Sequence, residues 1–252
     1  MEFLLKFGRD RREWIKYLFE AKKRYGLTVF NYMVISNHIH LLVRSDHSDT
    51  ISKSMQLIAV RVGQYYNRRK NRKGVFWEDR YLATVVESGN TCSGACCTSI
   101  WIWSELVEAK HPEEWDDCGH KEILNLKERY SIIDHPSLLL SLNILTIGEL
   151  RDLYPKWIDD TIASDQAKFE EKWSQSIAVG SGDFINEIWH QLGLSIIQHK
   201  QNVDGDQHSL RETEAHYDTN MLPWNVGWKT TPLWGLSLRP YFWCQKLLSK
   251  IQ

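Results

Sequence analysis

The chain has 252 residues, a net charge of -1, 42% apolar residues and 25% charged residues. These are ordinary values for one large globular domain or a domain with an appendage. They exclude a globally basic nucleic-acid binder, so any such signal must be local. No apolar run reaches transmembrane length, and the N-terminus is charged from Glu2 and has no signal-peptide core. A cytoplasmic location is therefore expected.

In chain order, residues 10–25 read as a helix: Trp14, Ile15, Leu18 and Phe19 fall near helical spacing, and Gly26 stops it. Residues 27–36 (LTVFNYMVIS) are β-branched and aromatic and read as a strand. Asn37 marks a turn, and residues 38–44 (HIHLLVR) alternate as a second, antiparallel strand. Residues 50–69 are a helix, with Ile51, Met55, Ile58, Val62 and Tyr65 on one side. A further strand is expected over 81–86. The order α-β-β-α-β is a ferredoxin-like β-α-β-β-α-β with its first strand missing. Either residues 3–7 serve as a short remnant of that strand, or the chain starts late.

Residues 90–107 (NTCSGACCTSIWIWSELV) have no clean period, and a helix there would place Trp101 and Trp103 on widely separated faces. Poor helical packing is expected over this stretch. Further on, helices are expected over 124–130, 147–162, 166–173 and 182–192, and residues 195–235 are polar and read as loop. The expected fold class is α+β: a core over 1–110, disrupted at 90–108, a mostly helical extension over 111–194, and an irregular tail over 195–252.

Five cysteines are present, at 92, 96, 97, 118 and 244. The spacing of Cys92, Cys96 and Cys97 fits no common zinc signature, and free thiols are the expectation. Two other groups carry more. Alternation puts His38 and His40 on one strand face, about 7 Å apart, where two imidazoles could share a metal ion. Then Arg61, Arg68, Arg69, Lys70, Arg72, Lys73 and Arg80 interleave with Tyr65, Tyr66, Phe76, Trp77 and Tyr81. Cations pair with phosphates, and aromatic rings stack on unpaired bases. From this group the expected DNA contacts are the seven cations and Trp77.

The run YMVISNHIHLLV, followed by QYYNRRKNRKGVFWEDRY and later HPEEWDDCG, resembles the REP-associated tyrosine transposases of the HUH single-tyrosine superfamily. The resemblance covers about residues 2–87 and resumes from His111. It implies a ferredoxin-like core, with Mg²⁺ or Mn²⁺ held by His38, His40 and a polar side chain from a later helix. It implies single-stranded or hairpin DNA as partner. It further implies strand cleavage by a tyrosine on that later helix, which attacks phosphorus and becomes linked to the DNA 5′ end.

The helix implied by the family falls on about residues 90–108, and no tyrosine lies between Tyr81 and Tyr130. Thr98 stands near the nucleophile position and Ile102 near the ligand position. Threonine lacks the low pKa of a phenol, and isoleucine cannot bind a metal. Reading residues 91–107 in a shifted frame gives LLRCxLYIDLDMVRAG with permissible third bases, close to the family helix. The Cys97–Thr98 junction there encodes only tyrosine or histidine. A compensated pair of frameshifts is therefore expected in the gene. The leading expectation is a transposase-like DNA-binding protein that has lost its nucleophile. The alternatives are an active nuclease using Tyr81, Tyr65 or Tyr66, a hairpin-binding module, or a poorly folding product.

Overall fold

The computed structural model describes residues 4–45, 47, 49–74, 76–77, 81–88, 91, 95–96, 112–124, 126, 129–163, 176–192, 201–202, 208–211 and 241–247. The fold is α+β. Helix α1 (Gly8–Tyr25) leads to strands β1 (Thr28–Val34) and β2 (His38–Arg44), then helix α2 (Thr50–Arg69) and strand β3 (Leu82–Val86). After a short 3₁₀ turn (Pro112–Glu114) come α3 (His120–Ile123), α4 (His135–Leu142), α5 (Ile147–Ala163), β4 (Ser176–Gly180) and α6 (Gly182–Leu192). Strands β5 (Gln201–Asn202), β6 (His208–Arg211) and β7 (Tyr241–Leu247) follow.

Local sequence accounts for the N-terminal elements. The inner face of α1 buries Trp14, Ile15, Leu18 and Ala21, and α2 buries Ile51, Met55, Ile58 and Val62. Gly26 closes α1 in the left-handed region at φ 71°, where a side chain would be strained, and its amide bonds back to the Lys22 carbonyl. The hairpin β1–β2 is antiparallel, with Met33 opposite His40 and a register shift between Val29 and Asn31.

Among the described residues, seven strands form one sheet in the order β1-β2-β7-β3-β4-β6-β5. Strand β7 pairs antiparallel with β2 on one side and with β3 on the other. That place and direction belong to the first strand of a ferredoxin-like sheet. The gap expected in the core is thus filled from the far end of the chain, and β1-β2-β7-β3 is a four-stranded antiparallel sheet. Residues 4–5 form a turn, not a strand remnant, and the Leu5 amide donates to the Ser36 carbonyl.

Two other expectations need correction. The region expected to be an irregular tail contributes β5, β6 and β7 to the sheet. The helix expected over 124–130 is replaced by the short α3, with a turn at Leu124 and bends at Arg129 and Tyr130. Helix α4 is absent from the expected elements, although its signals are local: Asp134 caps it by accepting from the Ser137 amide at 3.0 Å, and Pro136 sits in the first turn. The stretch 166–173 lies outside the described residues.

Gly119 allows a close approach at the β1 edge. A Cβ there would lie 2.5 Å from Asn31 Oδ1 and 2.9 Å from an Ile133 methyl, and the Gly119 amide donates to the Tyr32 carbonyl. The edge strand is further covered by bridges from Ile133 to Val29 and from Cys118 to Met33.

Candidate functional site

Strand β2 lies inside the sheet, between β1 and β7. Alternation places His38 and His40 on one face with Leu42, and Ile39, Leu41 and Val43 on the other. The two histidine rings are parallel within 6°, with centroids 6.2 Å apart. Both residues are buried. Burial pushes the His38 imidazole below its ordinary value, and burial together with His38 pushes His40 down to about 3. Both rings are therefore neutral at pH 7, the form that binds a metal.

This chemistry suits a divalent cation. His38 Nδ1 is buried with no hydrogen-bond partner among the described residues. The orientation shown is less direct, because parallel ring planes have no common in-plane point. A shared ion requires the rings to turn toward each other. Among the described residues no third histidine, cysteine or carboxylate joins the pair. Gln245 stands at the register position directly across from His40, and Leu247 across from His38. No local sequence pattern announced Gln245, because only the distant pairing of β7 places it there.

The segment after β3 returns to this same face. Thr91, Ala95 and Cys96 are helical. Asn31 donates through Nδ2 to the Cys96 carbonyl at 2.8 Å, and Asn31 is opposite Leu42 in register. Ala95 and Cys96 are buried, contrary to the expectation of poor packing for these residues. Alanine and a neutral thiol are small and apolar enough to fit against the sheet. Thr98, Ile102 and the rest of 97–110 lie outside the described residues.

Cys96 and Cys118 are buried, and burial pushes the Cys118 thiol up to about 12. Cys118 donates to the Trp115 carbonyl at 3.2 Å. Cys92 and Cys97 lie outside the described residues.

The basic segment divides into two groups. Arg61, Arg68, Lys70 and Lys73 are exposed, and Arg61 and Arg68 share a face of α2 at a seven-residue spacing. Arg69 instead bonds the buried Asp10 carboxylate at 2.8 Å and stacks over Tyr66, so it ties α2 to α1. Arg72 is half-buried. Trp77 is half-buried, donates to the Ala59 carbonyl at 2.8 Å and packs edge-on against Phe76. Arg80 lies outside the described residues. Of the tyrosines considered as substitute nucleophiles, Tyr66 is buried against Phe76, while Tyr65 and Tyr81 are half-buried.

Chain topology carries the exposed cations to the end of the sheet at which β2 begins. Strands β2 and β3 are both antiparallel to β7, hence parallel to each other. The α2 crossover therefore carries its basic C-terminus back to the His38 end of the sheet. The Asp10–Arg69 pair brings the start of α1 to that end, as does the Leu5–Ser36 hydrogen bond beside the turn into His38.

Residues 6–93 match the family model described as Transposase IS200 like. This segment contains α1, the histidine hairpin, α2 and β3. No curated protein and no solved structure matches the chain at a significant level. No helix among the described residues is long and apolar enough to cross a membrane.

Proposed function

We propose that this chain is a transposase-like DNA-binding protein that keeps a divalent-metal site and has lost strand cleavage. The reading rests on one observation. The matched segment carries buried, neutral His38 and His40 on a single face of an interior strand, yet no tyrosine lies between Tyr81 and Tyr130. Thr98 and Ile102 stand where the resemblance implies a nucleophile and a ligand.

His38 and His40 would hold Mg²⁺ or Mn²⁺ on the face of β2 that they share. Bound there, the ion would supply Lewis-acid polarisation of a phosphodiester. The chain's own residues act around that point. The exposed cations Arg68, Lys70 and Lys73 attract single-stranded or hairpin DNA by its phosphates. The buried imidazoles present nitrogen lone pairs because burial keeps them unprotonated.

The test incubates the purified full chain with single-stranded and hairpin DNA in Mn²⁺. The expected result is a salt-sensitive gel shift with neither cleavage nor a covalent protein–DNA band. A covalent band would overturn the inactive reading and direct attention to Tyr81 or Tyr65. Loss of the gel shift for every DNA tested would overturn the binding reading.

A further inference from the structure

We propose that Phe7 is a base-stacking platform for single-stranded DNA, flanked by Arg9 and Lys70 as phosphate ligands. The proposal deepens the DNA-binding reading above and rests on it.

Phe7 is a large apolar side chain left 48% exposed at the start of α1. Two cations sit over its ring: the Arg9 guanidinium carbon at 5.3 Å from the centroid and Lys70 Nζ at 5.7 Å. One comes from α1 and the other from the residue closing α2, so docking of the two helices builds the cluster. Lys6, Arg68 and Lys73 are exposed at the same end. The acidic neighbour Asp10 is buried and bonded to Arg69.

The ring's position is informative. Leu5, two residues before Phe7, donates its amide to the Ser36 carbonyl in the turn that leads into His38. Phe7 thus marks the end of the sheet where the histidine strand begins. A strand of DNA lying across the basic end would pass this ring on its way to the histidine face.

Energetics favour exchange at such a ring. An exposed cation–π contact is weak, whereas base stacking on an aromatic side chain is stronger and tolerant of base identity. An arriving base displaces one cation from the ring, and the freed cation pairs with the adjoining phosphate. The aromatic and ionic gains therefore occur together. A ring whose role was only to cover apolar core would be expected to sit against it more completely.

The test measures affinity of the full chain for a fluorescein-labelled oligo-dT and for an abasic oligonucleotide of equal length, by anisotropy at several salt concentrations. Phe7→Ala should weaken oligo-dT binding about five- to hundredfold, leave abasic binding unchanged and keep the salt slope. Phe7→Trp should retain the affinity. Lys70→Ala should weaken both probes and lower the salt slope by about 0.7. A thermal melt checks each fold, and Phe7→Leu keeps an apolar side chain if Phe7→Ala melts early. The proposal is overturned if Phe7→Leu binds oligo-dT as the parent does, or if it loses abasic binding equally. Failure of the parent to bind either probe or hairpin DNA overturns the DNA-binding reading itself; binding to hairpin DNA alone overturns only the platform.

Discussion

Helix α1, the hairpin and α2 are built from neighbours in sequence, while β7 enters the same sheet from the far end of the chain. Each N-terminal element finds its partner nearby, at a small cost in loop closure. Strand β7 must cross the whole intervening chain before its two ladders form. Yet β2, which carries both histidines, depends equally on both kinds of neighbour: β1 on one side and β7 on the other. The candidate site is local in its residues and non-local in its support.

The largest expected effect comes from removing that distant support. A chain ending before Tyr241 would leave facing edges of β2 and β3 unpaired inside the sheet. Buried backbone groups without partners are costly, so the core should lose cooperative unfolding. Amide hydrogen exchange is the measurement, with protection lost across His38–Arg44 and Leu82–Val86. Full protection of His38–Arg44 in the shortened chain would show that the local hairpin suffices.

The next effect separates two adjacent arginines that look alike in sequence. Asp10→Ala leaves Arg69 without its buried partner and should destabilise by about 3 kcal/mol. Arg68→Ala, at an exposed position, should change stability by less than about 0.5 kcal/mol. Urea unfolding of both variants measures the difference. Equal effects would mean that the α1–α2 ion pair does not fasten this end of the molecule.

Much of the local half was legible beforehand. The alternation in HIHLLVR gave β2 its correct span, and helical spacing gave α2 and nearly all of α1. Strand β7 was not legible, because YFWCQKL becomes a central strand only through pairing with two distant strands, and pairing leaves no local period. The role of Arg69 is hidden for a similar reason: its acidic partner, Asp10, lies in another helix. The Phe7–Lys70 contact is equally hidden, because only antiparallel docking of α1 and α2 brings these two residues together. The match over 6–93 stops short of Thr98, so the site's nucleophile position rests on the sequence resemblance.

A pH measurement probes the site where both kinds of support meet. His40 in the fold is held down to about 3, against about 6.5 in an unfolded chain. The unfolded chain thus binds the extra proton between these values. Stability is full above pH 6.5 and falls as pH drops toward 3, by about 1.4 kcal/mol per unit for such a group. His38 is also held down by burial and adds in the same direction. Urea unfolding in chelator at pH 7 and pH 5 should show a steeper loss for the parent than for His40→Leu. Identical slopes would mean that protons reach His40 freely in the folded chain.

The smallest effect falls on the exposed basic end, where the fold itself is not at stake. Arg68→Gln and Lys73→Gln should leave the melting temperature nearly unchanged, since both residues are exposed and such substitutions rarely matter to stability. Their contribution is to phosphate binding. Each lost contact releases fewer counterions and should lower the salt slope for single-stranded DNA by about 0.7, with affinity falling on every sequence alike. Arg69→Gln makes the contrast, because its guanidinium is bound to Asp10 at 2.8 Å and holds two helices together. It should lower stability while leaving the salt slope unchanged under conditions where the chain is folded. A reversed pattern, with Arg69 setting the slope and Arg68 the stability, would mean that the basic end meets DNA through a different face of α2.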